Sequence, residues 1–400
     1  MPPLLFQFGI TVNSLRIACF SRVHLTMTRR IGLLATLFLL SACQSGPGGR
    51  AVFQRIDIEA MAAPSGQLAL VDVGGDLAPD IVLMSQRPGR VHWYENPSWA
   101  VRQIPVVADE LYGMAAAPSM QSDAGAGLAL NGRFSLPGAG TRHQLIWLEN
   151  PGRALPDQPW PVSVLRADAP PGRLFAADLS GAGQVLPISL PGFEVFARTA
   201  VRSRWTSMPL IENTPANARV RVFDWDLNGR DDLLVMSDRG LEILALASRW
   251  RFVDQLGLLA ASGDGGYLDV GVGQSGRPAR RFMATLSLDG TRLQVFRPDP
   301  ETGTRWLAQT LSDTLDNARV LKVADLNRDA FDEIVVGTDA GLLVYYYDGA
   351  QSLWHRYQID VTPVADIAIA DLNGNGMPDM VTAPAQAGVV RLFQNRGRSN

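Results

Sequence analysis

Residues 224–232 read DWDLNGRDD, and three other stretches align with them without gaps: DVGGDLAPD at 72–80, DLNRDAFDE at 325–333 and DLNGNGMPD at 371–379. Each follows an alternating apolar run (LALV, VRVF, LKVA, IAIA) and precedes a second run (IVLMS, LLVMS, IVVGT, MVTAP). A Gly-containing turn comes next (PGR, DRG, DAG, QAG), then a third run: VHWYEN, LEILAL, LLVYYYD or VVRLFQN. Apolar alternation with a period of two, broken by Gly and Asp clusters, predicts antiparallel strands. Helical repeats do not fit, because their apolar period is 3.6.

A further strand opens with tryptophan in WAVRQI (99), WPVSVL (160), WTSMPL (205), WRFVDQL (250), WLAQTL (306) and WHRYQI (354). Six of the nine tryptophans thus recur at spacings of 61, 45, 45, 56 and 48 residues. These large rings are expected to anchor neighbouring sheets rather than to form ligand platforms.

Six tryptophans mark six repeats, and a seventh set of inner strands (364–397) lacks its aromatic strand. The N-terminal VFQRIDI (52–58) resembles WHRYQID (354–360) and is expected to supply it, closing a ring with no free sheet edge. Three repeats, roughly 110–165, 172–212 and 265–311, are degenerate at the acidic loop, with remnants at Asp178-Leu179-Ser180-Gly181 and Gly273-Gln274-Ser275-Gly276. The first of these keeps its strand end, since LIWLENP (145–151) copies VHWYENP (91–97). Residues 51–400 divided by seven give 50 per repeat, and a four-stranded propeller blade needs about 40–50. The expected fold is all-β: a seven-bladed β-propeller of four-stranded antiparallel blades, the last closed by the N-terminal strand.

At the acidic loops and the paired ENP ends, the chain resembles the FG-GAP/VCBS repeat family. That resemblance implies an integrin-alpha-type β-propeller acting by binding a protein or a glycan.

Oxygen side chains at loop positions 1, 3, 5 and 9, with a carbonyl from position 7, suit a hard cation, Ca²⁺ before Mg²⁺. The fullest set is Asp224, Asp226, Asn228 and Asp232 with the Arg230 carbonyl; Asp371, Asn373, Asn375 and Asp379 form a second, less charged set. Asp325, Asn327, Asp329 and Glu333 form a third, where Ala330 replaces the turn glycine; Asp72, Asp76 and Asp80 form a fourth, where Gly74 removes a ligand. An EF-hand is excluded, since position 12 is Leu83, Val235, Val336 or Thr382 and the flanks are strands. The rival reading is that these acids only close Asx turns.

Composition narrows the rest. With 46% hydrophobic and 19% charged residues the chain is not disordered, and 2 Cys exclude a disulfide scaffold. A net charge of −3 leaves no nucleic-acid footprint. Lys322 is the only lysine among 36 basic residues. Residues 27–43, MTRRIGLLATLFLLSAC, combine a basic flank, a short apolar run and a terminal LSAC that resembles a bacterial lipobox. The resemblance implies lipidation of Cys43 and, with Gln44 following, an outer-membrane location. The expected organisation is a signal region over 1–42 (1–26 lying before the Met27 start), a tether over 43–50 and the propeller over 51–400.

No nucleophile elbow, phosphate loop or histidine pair at metal spacing is present in the sequence, so an enzyme is the less favoured reading. Asn217-Ala218-Arg219-Val220 is duplicated as Asn317-Ala318-Arg319-Val320 just before an innermost strand. Asn217, Arg219, Asn317 and Arg319 are candidate ligand contacts at the channel rim, against the plainer reading of hydrogen bonding between blades. The expected function is a calcium-stabilised, lipid-anchored envelope binding module. The alternatives are a lyase-like carbohydrate enzyme and a scaffold for outer-membrane assembly.

Overall fold

The computed structural model describes residues 50–61, 65–119, 125–136, 140–152, 159–182, 184–190, 192–199, 204–211, 218–237, 240–246, 250–255, 266–276, 280–301, 306–349 and 351–398. All belong to the unit Gly46–Asn400. The signal region and Cys43 lie outside the described residues. There are 28 strands and, among the described residues, no helix.

The strands form seven four-stranded antiparallel sheets. β1 (Ala51–Met61) starts the chain. Blade 1 is β2 (Ser65–Val71), β3 (Asp80–Ser85), β4 (Gly89–Glu95) and β5 (Ala100–Ala108), and blade 2 is β6 (Glu110–Pro118), β7 (Ala126–Leu136), β8 (Gly140–Leu148) and β9 (Val162–Ala167). Blade 3 is β10 (Leu174–Asp178), β11 (Val185–Ser189), β12 (Glu194–Thr199) and β13 (Arg204–Pro209), and blade 4 is β14 (Arg219–Phe223), β15 (Asp232–Ser237), β16 (Gly240–Leu246) and β17 (Trp250–Gln255). Blade 5 is β18 (Tyr267–Ser275), β19 (Arg280–Ser287), β20 (Leu293–Pro298) and β21 (Trp306–Ser312), and blade 6 is β22 (Val320–Ala324), β23 (Glu333–Thr338), β24 (Gly341–Asp348) and β25 (Leu353–Asp360). Blade 7 is β26 (Val364–Ala370), β27 (Asp379–Pro384) and β28 (Gly388–Arg398), completed by β1.

The first strands of successive blades touch in the order β2, β6, β10, β14, β18, β22, β26, and β26 returns to β2. The sheets therefore close a ring whose central channel is lined by first strands. β1 runs antiparallel to β28, with Phe53 opposite Asn395, Arg55 opposite Phe393 and Met61 opposite Gly388. The edge that an open β28 would present for aggregation is thereby paired.

Burial follows position in the blade. Second strands are sandwiched by neighbouring blades on both faces, and β3, β15, β23 and β27 are buried at every residue. This is why IVLM, LLVM, IVV and MVTA are near-continuous apolar runs rather than alternating ones. Outer strands such as β9 and β21 face solvent and alternate or turn polar. Seven apolar clusters fill the seven inter-blade seams. Each fully buried Leu, Ile or Phe there is worth about 1.5–3 kcal/mol.

The outer-strand tryptophans sit in those seams. Trp99, Trp160, Trp205, Trp306 and Trp354 each join the cluster shared with the preceding blade. Trp205 meets Trp147 of blade 2 with ring centroids 5.1 Å apart, and Trp306 meets Trp225 of blade 4 at 6.3 Å. The side chain of Trp250 lies outside the described ones.

Candidate functional site: an acidic collar at one mouth of the channel

The four acidic loops each join a first strand to a second strand, so they gather at one end of the ring. Their backbone repeats closely. Loop position 4 has positive φ in all four (Gly75 72°, Leu227 61°, Arg328 57°, Gly374 70°), and so does position 6 (Leu77 70°, Gly229 81°, Ala330 71°, Gly376 78°). Ala330, like Leu77, therefore adopts the turn that glycine serves in the other two loops, and the left-handed conformation costs an L-residue about 1–2 kcal/mol.

Position 9 opens the second strand and is buried in every loop: Asp80, Asp232, Glu333 and Asp379. Its carboxylate accepts the position-2 backbone N–H, from Val73 (3.0 Å), Trp225 (2.9 Å), Leu326 (2.7 Å) and Leu372 (2.9 Å). Burial pushes all four carboxyl pKa values up, Glu333 well above its usual range. Position 1 closes the turn: Asp72 accepts from Gly75, Asp76 and Leu77, Asp224 from Asn228 and Gly229, Asp325 from Asp329 and Ala330, and Asp371 from Gly376. The Asx-turn role is thus present in every loop.

What distinguishes the loops is where the remaining oxygens go. In 224–232, carboxylate oxygens of Asp224, Asp226 and Asp232 all lie within 4.8 Å of one another. Asp224 and Asp226 both add to the burial that raises Asp232. Three like charges at that spacing want a cation, and hard oxygens in that number are a Ca²⁺ donor set. Asn228 Oδ1 accepts the Arg230 N–H at 2.8 Å, and Arg230 itself is exposed. In 371–379 the Asp371 Oδ1 atom is buried without a hydrogen-bond partner, which a bound cation would satisfy. There Asn373 Oδ1 accepts from Asn375, and Asn375 Nδ2 donates to the Asn395 carbonyl at 2.9 Å. In 325–333 the Asn327 amide takes the central place, donating to Asp329 (3.0 Å) and Glu333 (2.8 Å). In 72–80, Asp80 is saturated by Val73, Gly74 and Asn96, and Asp76 accepts from Ala78.

A clamp the sequence did not disclose ties these loops together. Asn96 donates through Nδ2 to the Leu372 carbonyl of the preceding blade (2.7 Å), and Asn395 does the same to Leu326 (2.7 Å). Asn150 donates to Val73 at 2.9 Å. All three are buried; Asn96 and Asn150 follow a third strand and Asn395 lies in the last part of one. Their signal was the repeated ENP and FQN ends, whose value as a link between blades appears only when the ring is closed.

The duplicated NARV segments are not equivalent in space. Arg219 lies in β14 opposite Met236, whereas Val320, not Arg319, is the residue opposite Gly337 in β22. Arg219 donates to the Leu268 carbonyl of blade 5 at 3.1 Å. Arg319 and Asn317 instead hold Asp339 of their own blade, at 2.9 Å (Arg319 Nε to Oδ1) and 2.7 Å (Asn317 Nδ2 to Oδ2). A one-residue offset turns side chains to opposite faces, so the two arginines form no common site. Asn217 lies outside the described residues.

Residues 325–382 match the family model for the FG-GAP-like repeat. No curated protein sequence is matched. Among solved structures, the chain resembles BBS1N, crystallised in complex with ARL6DN, at a TM-score of 0.55 and 11% identity, covering 88% of this chain and 99% of that one. It also resembles an Agrocybe aegerita lectin that recognises non-reducing terminal N-acetylglucosamine, at a TM-score of 0.50 and 13% identity, covering 78% and 91%.

Proposed function

We propose that this protein is a calcium-stabilised binding propeller, held at the bacterial envelope by a lipid on Cys43, that presents a rigid surface to a glycan. The observation that carries the calcium reading is the convergence of Asp224, Asp226 and Asp232 within 4.8 Å on the collar. A bound Ca²⁺ supplies charge neutralisation there. The chain's own part is to fix the loop through the Trp225, Asn228 and Gly229 N–H groups.

The FG-GAP-like repeat match and the likeness in fold to a lectin support a protein- or carbohydrate-binding role. A glycan is favoured by a 220 Å³ pocket between blades 1 and 2, beside the collar, with Trp93 and Trp160 as apolar walls and Glu95, Arg102 and Asn150 as polar groups. Arg102 lies over Trp93 at 5.3 Å and pairs with Glu95 at 3.0 Å, which aims an ion pair into an aromatic-walled hollow. Sugars suit such mixed hollows, their apolar side against the parts of the indoles that line the pocket and their hydroxyls meeting charge.

The test is a glycan array probed with the purified protein in Ca²⁺, with Arg102→Ala in parallel. Selective retention that Arg102→Ala abolishes supports the reading; retention equal to a blank surface overturns it in favour of a protein partner. A melt in metal-stripped buffer with and without EDTA checks the metal separately, and an unchanged melting temperature defeats the calcium claim. Palmitate incorporation lost in Cys43→Ser checks the anchor.

A further inference from the structure

The central channel carries charges that neither the collar nor the inter-blade pocket uses. Asp269 of β18 is fully buried and satisfied on both oxygens. Oδ1 accepts from Arg221 Nε (2.6 Å) and Val270 N (2.8 Å), and Oδ2 from Arg221 Nη2 (2.7 Å) and Leu321 N (2.8 Å). Arg221 lies three residues before Asp224, the first acid of its loop. Two blades on, the residue three before Asp325 is Lys322, the only lysine in the chain. Asp366 of β26 takes the place of Asp269 in this second step around the ring: it too accepts the N–H of the next blade's first strand, Leu68 at 2.9 Å, and that of Ile367 at 2.9 Å.

The two steps differ in one respect. Arg221 closes on Asp269 as a bidentate fork. Lys322, with a compact ammonium in place of the longer guanidinium, makes neither a hydrogen bond nor an ion pair among the described residues. Instead it lines a cavity of 490 Å³ along the channel wall. The neighbouring wall is largely aliphatic, formed by first-strand residues such as Leu70, Ala69, Ala368, Ile369 and Val323, and Asp371 of the collar is the other charged side chain of the lining. The positions equivalent to Lys322 in blades 7 and 1 are Ala368 and Ala69, and their small size leaves the space open. Lys322 is half-buried, and an ammonium with three donors and no acceptor among the described residues is able to meet an anion that enters the channel. Burial pushes the Lys322 pKa down, with Arg221 and Arg173 adding to the effect and Asp366 and Asp269 opposing it.

We propose that the central channel binds a small organic carboxylate, its charged end on Lys322 and its aliphatic body against the alanine and isoleucine wall. The site is separate from the inter-blade pocket and does not depend on the glycan reading. The carboxylate accepts the Lys322 donors in a charge-assisted contact, while Asp366 keeps its two backbone N–H partners.

Because the chain has one lysine, reductive ¹³C-methylation of the full purified protein yields a single side-chain ammonium signal besides the α-amine. Titration with butyrate should move that signal saturably, with a dissociation constant of about 1 mM. Calorimetry on unmodified protein, whose ammonium keeps all three donors, should show binding at least as tight, weakened about tenfold or more in Lys322→Met, whose melt should match the parent. Inorganic phosphate should bind more weakly than butyrate, because it has no apolar body. A signal that butyrate does not move, or equal binding of phosphate and butyrate, overturns the proposal. So does undiminished butyrate binding in Lys322→Met. Should that variant fail to fold, the signal of the labelled parent still decides the matter, and glycan-array results bear on neither outcome.

Discussion

Replacing Asn395 tests whether the inter-blade clamp holds the ring. Its Nδ2 donates to the Leu326 carbonyl at 2.7 Å and the Pro378 carbonyl at 3.0 Å, while Oδ1 accepts the Gly397 N–H at 2.9 Å. The side chain is fully buried, so water does not simply take over. Asn395→Ala strips all three contacts and leaves buried backbone groups unpaired, at about 1–3 kcal/mol for each one left unsatisfied. A loss of about 2–5 kcal/mol is expected, a large part of the roughly 5–15 kcal/mol that holds a typical domain together. Asn395→Asp has nearly the same shape but turns a donor into a charged acceptor facing two carbonyl oxygens. At pH 8 it should destabilise more than the alanine variant. Equilibrium unfolding in urea, compared at equal m-value, measures both. If the aspartate variant matches the parent, or the alanine variant falls within about 0.5 kcal/mol of it, the side chain is only filler and the clamp argument is refuted.

Ala330→Gly should stabilise by about 0.5–1 kcal/mol, because glycine adopts the φ of 71° without strain and gives back only part of the gain in unfolded-state entropy; thermal melts check this. Chelated protein should become more stable as pH falls from 7 to 5. Asp80, Asp232, Asp329, Glu333 and Asp379 have raised carboxyl pKa values, and Asp332 is pushed up to about 6, burial being the leading cause in each. A raised carboxyl favours folding in its neutral form; that contribution is complete below the unfolded value of about 4 and is lost as pH rises through the folded value. In Ca²⁺ the trend should weaken or reverse, since protons compete with the cation, and melts across pH with and without EDTA read both arms. Removing residues 51–61 should lower the melting temperature and cause self-association through the bared β28 edge, seen by size exclusion.

Much of the architecture follows from local chemistry. The acidic nonapeptides, the glycine turns and the alternating runs are short-range signals, and four copies 152, 101 and 46 residues apart, near whole multiples of one blade length, set the blade. The recurrence of tryptophan marked the blades whose loops had decayed, because the ring packs into the seam between sheets whatever the loop does. The resemblance of residues 52–58 to 354–360 foretold the closure.

The candidate site was legible only in part. The sequence named the acids but ranked them by charge count, and that ranking depends on where each carboxylate turns. Asp224, Asp226 and Asp232 converge, Asn327 takes up the acids of its own loop, and Asp80 is saturated by backbone N–H groups. The NARV duplication misled for a related reason: identical tetrapeptides sit one residue apart in register, and a strand's period of two places that offset on the other face.

The sequence by itself determined the repeat, the number of blades and the strand that closes them, since each shows as a recurring local pattern of strand and turn residues, even where, as for β1 and β28, the partners lie at opposite ends of the chain. Only the tertiary structure decided which oxygens meet, that Asn96, Asn150 and Asn395 bind one blade to the next, and that Lys322 faces a cavity with no hydrogen-bond or ion-pair partner among the described residues. The clamps turn on distances of about 3 Å between atoms up to 276 residues apart, and hydrogen bonds and ion pairs lose their strength beyond that reach.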